Sequence, residues 1–412
     1  MTFLYLANDI NKPSHLWMRR MLDALGSERA RLVTEAPLGA YAGRYRAARI
    51  PTGWENYFWR AYRKAGYVQR LPATRRSVAW LRGQLAECQG ALVHYLTVAV
   101  KYEAVWRRTP KPVYVHCHGY DVTWDLQRPG VGEGPGHDST YVERVLRLPE
   151  SVRFIANSHS TSNRLTSIGI SPERIFIKYL GVPVESQPPT RRTVAGSTGA
   201  EIRKGSHPPG KSRPVTILYL GRLVDFKGPL EVIAAFERAV ELGLSGQLWI
   251  AGDGPLESAC EAARAASPVK DQITLFGAVD EAQGIQLRSQ ADIFTAHNRR
   301  GEVTGQEEAF GVSCVEAMAA GLPVVSGRNG SLPEILQSEV EGLLVEPGDV
   351  EAHAQAFVRL AEDPILRRTM GQNGWRRACR DYSLGREQAR LREILGIVDS
   401  APEATAASVG VD

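Results

Sequence analysis

Twice along the chain, short apolar runs alternate with helical stretches, and this repeat restricts the fold more than any other feature. The first series runs from residue 1 to about 182: Phe3 to Ala7, a helix near Leu16 to Leu25, Ala91 to Tyr95, Val113 to His116, Val152 to Ala156, and a helix around Ser160 to Ile168. The second runs from Val215 to about Leu384, with strands expected at Val215 to Leu220, Leu248 to Ala251, Ile273 to Phe276, Ile293 to Ala296, Pro323 to Ser326 and Leu343 to Val345. Strands that alternate with helices pair in parallel, in doubly wound sheets. Two α/β domains facing a crevice follow, residues 1–185 and 214–384. The helix over about 385–400 is expected to cross back to the first domain. Residues 186–213, rich in Pro, Ser and Arg without apolar periodicity, read as a flexible linker or insertion, and 401–412 as a disordered tail.

Bulk properties exclude several classes. A chain of 412 residues suffices for two ordinary cores, and no stretch approaches the roughly 18 uninterrupted apolar residues of a membrane span. The start, Met-Thr-Phe-Leu-Tyr-Leu-Ala, has no positive region before its apolar run and reads as a strand rather than a signal peptide. Five scattered cysteines without a Cys-x-x-Cys pair point to a reducing, cytoplasmic setting and no structural zinc. A net charge of only +5 gives little support to nucleic-acid binding.

Candidate chemistry collects at strand ends. After Val215 to Leu220 comes Gly221-Arg222-Leu-Val-Asp225-Phe-Lys227-Gly228-Pro229, then a helical run. An Arg fork and a Lys point charge five positions apart suit a diphosphate, although an exposed basic loop reads the same way. Farther on, Glu308 and Glu316 stand eight apart in Glu307-Glu308-Ala-Phe310-Gly311-Val312-Ser313-Cys314-Val315-Glu316. The helix expected over Ser313 to Ala320 would put Glu316 near its first turn, beside free N–H groups. There it could accept two hydrogen bonds from a ribose diol, or simply complement the helix dipole. No Asp-x-Asp pair marks a strand end, so the cations are expected to replace a metal ion.

In the first domain, Val113-Tyr-Val-His116-Cys-His118-Gly119-Tyr120-Asp121 is a strand ending in a glycine turn, and either histidine could face the crevice. Between Tyr41 and Arg82 ten Arg or Lys side chains stand against Glu55 alone, interleaved with aromatics such as Trp54, Trp59 and Trp80. That pattern suits an anionic membrane surface, and equally a helical pair with a solvated basic face. Residues 128–137 form a Gly/Pro loop that reads as a flap or as a solvated insertion.

Together these segments resemble the retaining glycosyltransferases of family GT4, which have the GT-B fold of two Rossmann-like domains. The resemblance extends through Ala251-Gly-Asp-Gly-Pro-Leu256, Ile273-Thr-Leu-Phe276-Gly277, Gly330-Ser-Leu-Pro333-Glu334 and Glu341-Gly342-Leu-Leu-Val-Glu-Pro347-Gly348-Asp349. It implies a nucleotide-sugar donor as co-substrate, no cofactor, a glycan or lipid-linked acceptor, and a hexosyltransferase in cell-surface polysaccharide biosynthesis. By the same resemblance Arg222 and Lys227 contact the donor diphosphate, Glu316 the ribose and Glu308 the transferred sugar. The backbone at Phe310, Gly311 and Val312 would meet the sugar or β-phosphate, and Phe276 and Gly277 would lie near the base. His118 would hydrogen-bond the sugar. The resemblance weakens at Asn8 to His15, where many relatives carry a glycine pair. A catalytically silent nucleotide-sugar-binding or scaffold subunit is the competing reading, against which the intact Arg222, Lys227, Glu308 and Glu316 argue.

Overall fold

A computed structural model describes residues 2–11, 15–51, 72–124, 137–189 and 214–397. The segment 186–213 lies mostly outside these residues, as do most of the Gly/Pro loop 128–137, the middle of the basic and aromatic stretch 41–82, and the tail 401–412.

Two parallel sheets organise the chain. The first contains β1 (Phe3–Ala7), β2 (Ala30–Thr34), β3 (Ala48–Arg49), β4 (Gly90–His94), β5 (Val113–Cys117), β6 (Val152–Ala156) and β7 (Ile175–Ile177), in the order β3-β2-β1-β4-β5-β6-β7. The second contains β8 (Val215–Leu220), β9 (Gly246–Ala251), β10 (Ile273–Gly277), β11 (Ile293–Ala296), β12 (Val324–Gly327) and β13 (Gly342–Val345), in the order β10-β9-β8-β11-β12-β13. All pairings within the two sheets are parallel. Each sheet reverses direction once, between β1 and β4 and between β8 and β11. Ligands of open α/β sheets lie at such a switch point, beyond the carboxyl ends of the strands.

The central strands β1 and β4 are buried at every position, which explains their uninterrupted apolar runs. Sequence periodicity does not find β2, β3 or β7. Arg31 interrupts β2, where it bonds Gln84 and Glu87 at the sheet margin, and β7 is a half-buried edge. The helix expected at Ser313 to Ala320 begins one residue earlier, at Val312–Ala319, because Gly311 takes a left-handed conformation and caps it.

The two halves are joined where the chain crosses between sheets. The amide of Val182 donates to Tyr382 O at 2.9 Å, and that of Leu384 to Val182 O at 3.2 Å. From there the helix Leu384–Leu395 returns to the first domain, placing Leu391, Ile394 and Leu395 in its core. Beneath this crossing Lys178 Nζ meets Glu387 Oε1 at 2.5 Å, with both side chains almost wholly buried. Burial lowers the Lys178 pKa and the carboxylate opposes that shift. A buried pair adds little over a well-packed apolar substitute, but one partner alone is a stranded charge. Lys178→Met or Glu387→Leu should each cost about 3–5 kcal/mol, whereas the double substitution should recover most of the loss. Denaturant unfolding of the four proteins tests this; additive costs would refute the coupling.

Candidate active site

The second-domain site begins at the end of β8. There Gly221 and Arg222 lead into a tight turn over Asp225–Lys227, and Gly228 follows at φ 60°. A Cβ at Gly228 would stand 2.3 Å from His297 O, so both the left-handed backbone and the close approach require glycine. Pro229 then opens the helix Pro229–Glu241 at its first position. Asp225 braces the turn by accepting from the amides of Val303 at 2.9 Å and Thr304 at 3.1 Å.

Glu308 draws these segments together. Its carboxylate, 7% exposed, is in contact with Lys227 Nζ, accepts from Asn298 Nδ2 at 3.2 Å and accepts from the Gly311 amide at 2.8 Å. Burial pushes its pKa up, but Lys227, the Gly311 amide and Arg222 outweigh that and hold it below the usual value. Glu308 is therefore a fixed carboxylate with its acceptor capacity largely taken. Arg222, whose own pKa burial lowers, lies with its guanidinium 5.6 Å from the Phe226 ring centre.

Glu316 is placed differently from the expectation. It falls in the second turn of Val312–Ala319, away from the free amides, and pairs with Arg288 at 3.2 Å and with Arg20 of the first domain at 3.8 Å. The residue beside the helix start is Glu308. The side chain of Phe310 is buried against Tyr179 and Tyr382, which turns its ring away from the site, and Gly311 and Val312 follow at the helix start. Phe276 and Gly277 end β10, where Phe276 packs edge-on to Trp249 and Gly277 turns at φ 66°.

Across the crevice, Asp121 organises the turn that carries His118. Its buried carboxylate accepts from the amides of His118 at 2.8 Å, Gly119 at 2.9 Å and Leu96 at 2.8 Å. Gly119, at φ 125°, packs so close to the Glu308 loop that a Cβ would stand 2.9 Å from Ala309 Cβ. The His118 turn and the Glu308 loop thus meet directly. The His118 ring lies over Trp17, with centroids 3.9 Å apart, and beside Tyr95, His116 and His94. His116 is fully buried and His118 is partly accessible, which settles which of the two can face the crevice. Burial, with the neighbouring charges of His94 and Lys178, lowers the His118 pKa well below 6.5, so its imidazole is neutral near pH 7.

Several contributors have no role assigned from the sequence, although Glu334 closes the Gly330-Ser-Leu-Pro333-Glu334 segment. Glu334 accepts from the amides of His159 at 2.8 Å and Ser160 at 3.2 Å, at the start of a first-domain helix. Arg164 of that helix pairs with Glu307, and Arg20 bonds Glu281 at 2.7 Å. Asn298 was findable in principle, two residues past β11 at the switch point.

The chain is similar to several known proteins. The family model of glycosyl transferases group 1 matches residues 202–377. A GDP-mannose-dependent monoacylated α-(1-6)-phosphatidylinositol monomannoside mannosyltransferase of Corynebacterium glutamicum is 32% identical over 289 residues, covering 69% of each chain. The amylovoran biosynthesis glycosyltransferase AmsK of Erwinia amylovora is 28% identical over 200 residues, 48% of this chain and 45% of AmsK. Among solved structures, Anabaena HepE in complex with UDP and glucose superposes with a TM-score of 0.71 at 17% identity, covering 97% of this chain and 100% of HepE, a likeness of fold. The chain belongs to the group 1 glycosyl transferases, as a GT4-like hexosyltransferase with the two parallel-sheet domains of the GT-B fold.

Proposed function

We propose that the enzyme moves a hexosyl unit from a nucleoside-diphosphate sugar to a glycan or lipid-linked acceptor in cell-surface glycan assembly, with retention and without a metal ion at the donor diphosphate. The observation that carries this reading is the buried Glu308 carboxylate held by Lys227 beside Arg222, two cations and one fixed acceptor at a switch point. Arg222 and Lys227 then take the charge that develops on the departing diphosphate. Glu316 receives the ribose hydroxyls, exchanging its hold on Arg20 for the donor, and Phe276–Gly277 borders the base.

In the transfer the bond from the anomeric carbon to the β-phosphate oxygen breaks, and the acceptor oxygen bonds to that carbon on the same face. The acceptor's proton passes to the departing phosphate oxygen. Glu308 orients the sugar ring, and its three donors make it a poor nucleophile. His118, neutral, hydrogen-bonds a sugar hydroxyl. GDP-mannose, named for the Corynebacterium glutamicum relative, is the first donor to test. The basic and aromatic residues between Tyr41 and Arg82 support an acceptor presented at the inner membrane face, and no helix among the described residues is long and apolar enough to span a bilayer.

A thermal-shift and donor-hydrolysis screen over GDP-, UDP- and ADP-sugars should find a donor that stabilises the protein by about 2.7 kcal/mol at 100 times its Kd; a flat screen overturns the proposal. With that donor, Lys227→Ala should lower kcat about 10²–10³-fold while chelators do not lower the turnover of the wild type. Undiminished turnover in the variant would remove Lys227 from the site. Because burial lowers the His118 pKa, that ring stays neutral near pH 7, so the wild type and His118→Asn should share the shape of their kcat/KM profiles around neutrality although the variant is slower. A limb near pH 6.5 that disappears only in His118→Asn would contradict the neutral-imidazole role.

A further inference from the structure

Three histidines converge on one point of the first domain. His94 ends β4, and its register partner on β5 is His116. Residues paired across parallel strands share a face, and His118, one residue past the end of β5, packs its ring against both. Each ring offers a nitrogen, and the three nitrogens lie within 4.8 Å of one another. His94 Nδ1 and His118 Nε2 are 3.4 Å apart. Two imidazole nitrogens at about 2.0–2.1 Å from one tetrahedral ion are separated by roughly 3.4 Å, so this pair already has the spacing of two ligands.

A hydrogen bond between His94 and His118 would explain that pair alone. It leaves both ring nitrogens of His116 and the Nε2 of His94 buried without a hydrogen-bond partner. An unsatisfied buried polar group costs about 1–3 kcal/mol, and an ion that takes a nitrogen from His116 relieves one such cost. Lys178, whose charge acts on these rings, is paired with Glu387. The set contains no carboxylate, which favours a borderline transition metal over magnesium or calcium. Tyr5 and Trp17 wall the cluster, and only His118 is partly accessible, so the open coordination position faces the crevice.

We propose that His94, His116 and His118 form a three-imidazole site for a divalent transition-metal ion, with Zn²⁺ as its natural probe, and that occupancy inhibits transfer by engaging the imidazole of His118. The ion is an inhibitor here and has no part in neutralising the donor diphosphate. The inhibition rests on the sugar-binding role given to His118 above, whereas the binding does not.

The full chain, stripped with a chelator, is titrated with Co²⁺ and followed by visible absorption, and with Zn²⁺ against a chromophoric chelator. One equivalent should bind with the intense spectrum of four-coordinate cobalt, and His116→Gln should weaken binding on the order of 100-fold. Zn²⁺ should suppress donor turnover in the wild type, reversibly with chelator, and His116→Gln should turn over normally without metal yet resist Zn²⁺. Should His116→Gln fail to fold, His94→Asn serves the same purpose, and the cobalt spectrum of the unaltered chain decides by itself. No bound equivalent, a weak six-coordinate spectrum, or unchanged affinity in the folded variant overturns the site. Tight binding with undisturbed turnover overturns the inhibition. Tight binding in a chain that turns over no donor leaves the site standing and counts against the transferase reading instead.

Discussion

The site depends on one buried carboxylate. Glu308 satisfies the amide that opens the helix Val312–Ala319, fixes Lys227 from the β8 turn and holds Asn298 from the end of β11. The β8 turn, the end of β11 and the helix start are thereby registered around a single group. The requirement is strict because a buried carboxylate left without these donors would be strongly disfavoured, and the same donors keep it ionised. Glycines make the arrangement fit: Gly228 passes against His297, and a Cβ at Gly330 would stand 2.1 Å from Glu308 O.

A negative group among two cations has a chemical consequence. Arg222 and Lys227 alone would attract any polyanion. With Glu308 paired to Lys227 and under the influence of Arg222, two cations stand beside one fixed acceptor, and the proposed preference for a sugar diphosphate over free phosphate rests on that combination. From the first domain, Arg20 reaches Glu316 and Arg164 reaches Glu307, whereas the group beside the Glu308 loop is a histidine turn. Its His118 is neutral, with its own amide and that of Gly119 directed to Asp121, so what that ring brings is orientation.

What the sequence made legible was local. Continuous apolar runs identified the central strands because those strands are buried on both faces, and glycine punctuation marked the turns that follow them. The two glutamates show the limit. Both lie near a helix start, and which one meets the free amide depends on Gly311 and Gly330 taking positive φ, which spacing alone does not rank. β2 was hidden by Arg31, an arginine that a sheet margin tolerates because Glu87 neutralises it. Arg20, Arg164 and Glu334 act on residues 143 to 261 positions away, and nothing in their neighbourhoods announces a partner in the other domain.

Those cross-crevice contacts differ in kind from the buried pair beneath the crossing. Arg20 to Glu281, Arg164 to Glu307 and the Glu334 cap are partly exposed, and such contacts contribute roughly 1 kcal/mol or less each. Lys178 and Glu387 are buried, so separating them would strand two charges. Lys178 follows β7 and Glu387 lies on the helix whose Leu391, Ile394 and Leu395 sit in the first-domain core, so that pair anchors the returning helix, and opening the crevice would break only the weak contacts. A donor that replaces Arg20 at Glu316 would cancel one of the weak contacts while adding charge that Arg20 can follow. The closed state with donor then loses little relative to the closed state without it, and binding energy remains for positioning the sugar.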